Sequence, residues 1–220
     1  MIKTKAVVFD AYGTLFDVNS AAEKCKDKIG TKWETFANFW RTTQLEYTWL
    51  RSLMKRHKNF WDITEDSLDK SIKVFKINKN MKNELLSLYK ILSPYPEVRE
   101  VLKNLKKKNF KLAILSNGTY DLLNELVESN KLNNLFDDLF SIEEVKIYKP
   151  DPRVYELPIK KYKIKSDEIT FLSANTWDVS GGGNFGYNSI WVNRHNSVFD
   201  ILDFQPKNEI SNLTQLLDIV

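Results

Sequence analysis

The sequence predicts an α/β protein: a core with a doubly wound, Rossmann-like parallel sheet, and an inserted helical cap subdomain. Short apolar runs of strand length recur along the chain, and helical segments separate them beyond residue 96, whereas residues 21–92 contain no strand-like run. Alternating strands and helices need crossover connections, which make the strands parallel. The 220 residues are enough for such a core and a modest second module.

The first strand is predicted at residues 5–9, a short run that is apolar enough to be buried on both faces. Apolar residues then recur every three or four positions from Trp33 to Met54, which is typical of a long amphipathic helix. We expect two shorter helices after it, one beginning near Thr64 and one over 82–92.

Beyond Pro96 the pattern alternates regularly. The predicted strands are 111–115, 140–142, 169–172 and 189–192, and the predicted helices are 97–108, 120–129 and 154–162. We therefore divide the chain into a catalytic core, residues 1–18 and 94–220, and a helical cap, residues 19–93.

Composition excludes several classes of function. The net charge of +4 is spread thinly and forms no basic stripe, so no nucleic-acid partner is expected. No apolar run approaches the ~20 residues of a spanning helix, so we expect no membrane association. A single cysteine, Cys25, excludes an intrachain disulfide and fits a reducing compartment, the cytoplasm. With only His57 and His195, a zinc site is not expected.

Polar residues follow the predicted strands at the point where each strand ends. Asp10 and Thr14 follow the first strand, and Ser116-Asn117-Gly118 follows the second. Lys149 lies in a later loop, and Ser173-Ala174-Asn175-Thr176-Trp177-Asp178 follows the strand at 169–172. In open parallel sheets the carboxyl ends of the strands line one crevice, where ligands bind. We therefore expect two carboxylates, hydroxyls and a lysine to meet there.

The order and spacing of these residues resemble the haloacid dehalogenase superfamily, over nearly the whole chain. The cap segment Trp40-Arg41-Thr42-Thr43-Gln44-Leu45-Glu46-Tyr47-Thr48-Trp49-Leu50-Arg51 resembles the signature helix of L-2-haloacid dehalogenases, and 173–178 resembles their final motif. The resemblance implies catalytic roles for Asp10, Thr14, Arg41, Ser116, Lys149, Tyr155, Ser173, Asn175 and Asp178. It also implies substrate or halide contacts from Ala11, Tyr12, Arg41, Leu45, Phe60, Ser116, Asn117 and Trp177.

These residues suit a hydrolysis in two displacement steps. An ionised Asp10 would displace halide from the substrate's alpha carbon and form an ester. Asp178 would then activate the water that hydrolyses this ester. Because only the first step inverts the alpha carbon, an L-2-haloacid, a small 2-haloalkanoic acid, would become a D-2-hydroxy acid. The Lys149 ammonium would keep Asp10 ionised in place of a metal, so we expect neither a metal nor a cofactor.

Tyr12 decides between this interpretation and its nearest rival. Phosphatases of the superfamily carry an acidic general acid two positions after the nucleophile, and a phenol with a pKa near ~10 is a poor substitute. A magnesium-dependent phosphatase therefore remains the alternative, together with a fluoroacetate-preferring dehalogenase and a non-catalytic member with a binding cap. The resemblance further implies a homodimer. Gly181-Gly182-Gly183 has no following Lys-Ser/Thr, so we predict a tight turn or close helix packing there.

Overall fold

A computed structural model of the chain describes residues 4–220. Its strands, in chain order, are β1 (Ala6–Phe9), β2 (Lys111–Ser116), β3 (Asp138–Ser141), β4 (Ile169–Ser173), β5 (Asn188–Val192) and β6 (Asn208–Ile210). They form one sheet in the order β3-β2-β1-β4-β5-β6, and every paired neighbour runs parallel. The predicted fold class is confirmed.

The helices cover the sheet and form the inserted segment. In chain order they are α1 (Ser20–Lys24), α2 (Lys26–Ile29), α3 (Trp33–Leu53), α4 (Phe60–Phe75), α5 (Lys82–Lys90), α6 (Val98–Lys107), α7 (Tyr120–Ser129), α8 (Pro152–Tyr162) and α9 (Thr176–Phe185). The first five all lie between β1 and β2. No helix within residues 4–220 is long and apolar enough to cross a membrane.

The long amphipathic helix predicted from Trp33 is present as α3, with its aromatic stripe buried against α4. Other boundaries differ from the predicted ones. Helix α4 begins at Phe60 rather than near Thr64, because the side chain of Asn59 accepts the backbone N–H of Asp62 and caps the helix. Helix α9 and strand β6 were not predicted, since three glycines lie inside α9 and β6 has only three residues.

The central strand of the sheet is β1, the strand that Asp10 follows. Strand β1 is completely buried between β2 and β4, with Phe9 opposite Ile114 on one side and Leu172 on the other. The carboxyl ends of β1, β2 and β4 therefore reach the same edge. The residues that follow these three strands must converge there.

Two chain segments connect the inserted helices to the sheet, and they lie side by side. The backbone N–H of Asp17 donates to Ser93 (2.9 Å), and that of Tyr95 donates to Leu15 (3.0 Å). The inserted helices thus leave and rejoin the core at one place, above the end of β1. The division into core and cap at residues 18/19 and 93/94 stays a prediction; residues 1–3 of it lie outside the described residues.

Candidate active site

Asp10 lies directly after the four apolar residues of β1, where the chain turns sharply. The Ala11 carbonyl accepts the backbone N–H groups of Leu15 (3.0 Å) and Phe16 (3.1 Å), which closes the turn. Gly13 has a φ of +90°, a conformation that favours glycine. The side chain of Asp10 is almost fully buried at 5% exposure. The strand and turn therefore hold a carboxylate away from bulk water at the edge of the sheet.

The two oxygens of Asp10 have different environments. Oδ2 accepts hydrogen bonds from Asn175 Nδ2 (2.9 Å), Thr14 Oγ1 (3.0 Å) and Ser173 Oγ (3.4 Å). Among residues 4–220, the one donor to Oδ1 is Lys149 Nζ, at 3.2 Å. One oxygen is thus surrounded by donors, while the other keeps lone pairs free for a substrate.

The protons of the two hydroxyls are directed at Asp10 by their other partners. Thr14 Oγ1 accepts the backbone N–H of Ala174 (2.8 Å), and Ser173 Oγ accepts that of Asn175 (3.1 Å). Because each hydroxyl has one proton, both are donors to the carboxylate. Asn175 stands at the start of α9, but its amide donates to Asp10 instead of capping the helix.

The ammonium of Lys149 bridges two carboxylates. It lies 3.2 Å from Asp10 Oδ1 and 2.9 Å from Asp178 Oδ2, and its side chain is fully buried. Burial by itself lowers the pKa of Lys149, but the charges of Asp10 and Asp178 outweigh burial and raise it. Lys149 is therefore a fixed cation that pairs with both buried acids.

Asp178 lies in the first turn of α9, where the helix dipole favours a negative charge. Its Oδ1 accepts the hydroxyl of Tyr155 at 2.7 Å. Complete burial raises the pKa of Asp178 to about 6, against the opposing effect of Lys149. A carboxyl group with this pKa can take up a proton near neutral pH.

Gly181 makes the contact between Tyr155 and Asp178 possible. A Cβ at position 181 would lie 2.5 Å from the Tyr155 hydroxyl and 2.7 Å from a carbon of Pro150. The absence of a side chain lets α8 and α9 approach closely, which agrees with the close packing predicted for this glycine run. The glycines belong to a helix rather than to a phosphate-binding loop.

Arg41 reaches the site from α3. Its Nη2 donates to the Tyr12 carbonyl at 3.4 Å, and its Nη1 donates to Gln44 Oε1 at 2.9 Å. Asn175 Nδ2 contacts both the same carbonyl (3.3 Å) and Asp10 (2.9 Å). The cation from the inserted helices therefore lies next to the buried carboxylate, across the Tyr12 turn.

Aromatic rings line the space above the Tyr12 turn. The Tyr12 ring packs on Phe60, with centroids 5.3 Å apart, and stacks on Tyr89 at 5.7 Å. Burial, and next the neighbouring Tyr89, raise the pKa of Tyr12 well above its usual value, so this phenol is neutral. Phe60 is fully buried, and Leu45 is half-buried on α3. A neutral, apolar wall thus faces the charged edge of the sheet.

Three predicted site residues have other partners. Ser116 Oγ accepts the backbone N–H of Gly118 (3.0 Å), and Asn117 Oδ1 accepts that of Lys149 (3.0 Å). Trp177 is half-buried and meets Trp49 edge to face, at 5.4 Å between centroids. Within residues 4–220, no hydrogen bond joins Ser116 or Trp177 to the Asp10 network.

The turn after β1 keeps two backbone donors available. Among residues 4–220, no protein acceptor contacts the N–H of Ala11 or Tyr12, although the neighbouring N–H groups of Asp10 and Gly13 are bonded. Successive unpaired N–H groups in a turn form an anion-binding concavity. This geometry fits the carboxylate of a small acid.

The donor set does not resemble that of a divalent-cation site. Within the part of the chain that the structure describes, no three His, Cys, Asp or Glu side chains come together. The Lys149 ammonium lies between Asp10 and Asp178, the carboxylates that would have to bind such an ion. An ammonium repels a metal cation at this distance.

The sequence matches the haloacid dehalogenase-like hydrolase family over residues 4–186. This span exceeds half of the chain and includes every residue of the Asp10 network. The chain belongs to this family. The resemblance drawn from the motifs is therefore confirmed.

Relatives within this haloacid dehalogenase-like family match almost the full chain. An (S)-2-haloacid dehalogenase from Burkholderia cepacia is 38% identical, covering 96% of this chain and 93% of its own length. The haloacetate dehalogenase H-2 of a Moraxella species is 35% identical, with 100% and 99% covered. Among solved structures, the L-2-haloacid dehalogenase of Xanthobacter autotrophicus with chloropropionic acid covalently bound superposes with a TM-score of 0.91. Its identity is 31%, with 98% of each chain covered.

Family motifs revealed the charged edge of the site but not the side chains that support Arg41. Gln44, Thr64 and Tyr89 are buried behind it, and the Gln44 amide donates to both of the other two side chains. Gln44 and Thr64 have polar side chains at positions where α3 and α4 pack together. The sequence signal for this buried cluster was the presence of these two polar residues in the apolar stripes of paired helices.

Proposed function

We propose that this chain hydrolyses L-2-haloacids to D-2-hydroxy acids through an ester on Asp10. The observation that carries the proposal is the contrast between the two Asp10 oxygens. Within the described part of the chain, Oδ2 accepts hydrogen bonds from three side chains, whereas Oδ1 accepts one, from the Lys149 ammonium. A carboxylate held in this way is a positioned nucleophile, and the names of the relatives indicate the class of substrate.

In the first step, Asp10 Oδ1 attacks the alpha carbon of the haloacid opposite the halogen. The new carbon–oxygen bond forms as the carbon–halogen bond breaks, and halide leaves with the bonding electron pair. The attack inverts the carbon. The free N–H groups of Ala11 and Tyr12 suit the substrate's carboxylate, and Arg41 suits the departing halide. Because halide leaves as an anion, no general acid is needed, and neutral Tyr12 suffices at its position.

In the second step, water attacks the side-chain carbonyl carbon of Asp10. Oδ2 is then the ester carbonyl oxygen, and charge develops on it in the tetrahedral intermediate. Thr14, Ser173 and Asn175 already donate to this atom, so the same contacts act as an oxyanion hole. When the bond between the side-chain carbon and Oδ1 breaks, the carboxylate is regenerated, and the departing oxygen takes up the proton that Asp178 removed from water to give the D-2-hydroxy acid.

Asp178 is the base that takes the proton of the attacking water. Its carboxylate is held by Tyr155 on one oxygen and by Lys149 on the other. The raised pKa of about 6 makes this carboxylate a stronger base than an ordinary aspartate and leaves it mostly ionised at pH 7.

We also propose that the protein acts as a homodimer through the outer face of α3 and α4. Leu50, Met54 and Val74 are each at least half exposed there and line a groove of about 820 Å³. Charged side chains also line this groove, so it combines apolar and charged contacts, as the rim of a protein interface does. Light scattering at micromolar concentration tests the proposal, and a monomeric mass contradicts it. We assign the protein to the cytoplasm because its one cysteine, Cys25, is a free thiol.

The reaction is tested by halide release from L- and D-2-chloropropionate in buffer containing EDTA. We expect chloride from the L enantiomer only, and D-lactate as the organic product. Loss of activity in EDTA would contradict the role given to Lys149. Hydrolysis of p-nitrophenyl phosphate with magnesium, without chloride release, would replace the proposal with the phosphatase alternative.

A further inference from the structure

Gln44 lies one helical turn beyond Arg41 on α3. Its Oε1 accepts Arg41 Nη1 at 2.9 Å, and the side chain is almost completely buried at 1% exposure. Residues three apart on a helix share a face, so both side chains point to the same side of α3. Gln44 therefore forms the inner support of the guanidinium.

Two further residues fix the orientation of the Gln44 amide. Thr64 Oγ1 donates its single proton to the Phe60 carbonyl (2.7 Å), so it must accept from Gln44 Nε2 (2.6 Å). Gln44 Nε2 also lies 3.0 Å from the hydroxyl of Tyr89. Because the nitrogen faces Thr64, the amide oxygen faces Arg41, which has only donors.

The oxygens that hold Arg41 are neutral. They belong to the Gln44 amide and the Tyr12 carbonyl, the hydroxyl of Tyr89 also interacts with Arg41, and no carboxylate within residues 4–220 forms an ion pair with it. The titratable groups around this site are Tyr89 on α5, Tyr12 after β1 and, beyond it, Asp10. Burial raises the pKa of both Tyr12 and Tyr89, so both phenols are neutral. The charge of Arg41 thus remains available to an anion.

We propose that Gln44 is a positioning residue: its amide oxygen aims Arg41 at the leaving halide without neutralising the guanidinium, and Thr64 and Tyr89 fix the amide. The inference rests on the proposed dehalogenation. A glutamate of the same shape would form a charge-assisted pair with Arg41. The positive charge of Arg41 would then be neutralised and no longer available to the halide. Only the step in which halide departs should depend on that charge.

The test is Gln44→Glu, assayed by rapid quench and mass spectrometry with L-2-chloropropionate. We expect ester formation on Asp10 to slow about 100-fold, as on removal of one charge-stabilising contact. Hydrolysis of the ester, started from pre-formed ester, should stay within about twofold of the native rate. The defect should be smaller with L-2-bromopropionate, because bromide is the better leaving group.

Thr35→Glu is the matched control, since it adds the same charge to α3 at an exposed position six residues before Arg41. It should leave both steps unchanged. An active native enzyme whose Gln44→Glu variant forms ester at the native rate, or slows equally in both steps, overturns the positioning role alone. A native protein that releases no halide from any haloacid overturns the proposed function and this inference with it.

Tyr89→Phe tests the same role if the Gln44→Glu variant fails to fold. It deletes one hydroxyl that restrains the amide and adds no volume. We expect ester formation to slow about fivefold, with ester hydrolysis unchanged. Tyr120→Phe removes a hydroxyl that is bonded to Glu144 rather than to the Gln44 amide, and it should alter neither step. Unchanged ester formation in Tyr89→Phe overturns the proposal.

Discussion

The two sides of the site, the edge of the sheet and helix α3, differ in how their charged side chains are paired. In the core, Lys149 lies between Asp10 and Asp178, and each buried charge has a partner of opposite sign. On the α3 side, Arg41 is held by two neutral oxygens. In the proposed reaction, the buried ion pairs hold the nucleophile and the base in place, whereas Arg41, which has no carboxylate partner among residues 4–220, is available to an anion. The proposal thus assigns the attack on the substrate to the sheet side of the site and the departure of the halide to the α3 side.

The largest effect should come from Lys149→Met. The substitution leaves Asp10 and Asp178 as uncompensated buried carboxylates, so we expect the free energy of unfolding to fall by about 3–5 kcal/mol and halide release to be lost. Chemical denaturation and a halide assay measure both. Lys90→Met breaks a surface pair with Glu125 and should cost about 1 kcal/mol or less. Equal losses of stability in the two variants would mean that the buried pairs of Lys149 contribute no more to stability than an exposed ion pair.

Arg41→Lys should give a smaller effect, confined to catalysis. The variant keeps the positive charge but loses the planar fork that contacts both Gln44 and Tyr12. We expect kcat/KM for L-2-chloropropionate to fall about 100-fold, and the free energy of unfolding to change by about 1 kcal/mol or less.

Steady-state kinetics and denaturation separate these two quantities. The control is Arg99→Lys, at an exposed arginine that donates to the backbone carbonyls of residues 130 and 131. If Arg41→Lys lowered stability as strongly as Lys149→Met, the cap cation would be a structural partner rather than a group available to an anion.

Close to neutral pH, the smallest effect is in the pH profile of the native enzyme. Asp178 must be ionised to accept a proton from water, and burial raises its pKa to about 6. As the pH falls below about 6, the base becomes protonated, so ester hydrolysis should slow about tenfold per pH unit. Ester on Asp10 should then accumulate, which mass spectrometry detects. A pH profile that stays flat down to pH 4, without accumulated ester, would show that Asp178 is not the base.

The sequence predicted the core side better than the cap side. Asp10, Lys149 and Asp178 follow strands of a parallel sheet, and topology alone brings such residues to one edge. Gln44 and Tyr89 meet through the packing of α3 against α5, which depends on crossing geometry that spacing along the chain does not encode. Helix α9 was missed for a local reason: Gly181 disfavours helix, and its packing against Tyr155 outweighs that preference.

The central claim is that the substrate forms an ester on Asp10 and that water hydrolyses this ester at the side-chain carbonyl carbon. A single turnover in water labelled with heavy oxygen tests it. With enzyme in excess over L-2-chloropropionate, the product hydroxyl oxygen comes from Asp10 Oδ1, and the label enters the Asp10 carboxylate. Mass spectrometry of the product and of the peptide that contains Asp10 reads both positions. Labelled peptide with unlabelled D-lactate is the predicted result. Labelled lactate in this first turnover, with an unlabelled peptide, would mean that water attacks the substrate directly and would contradict the account.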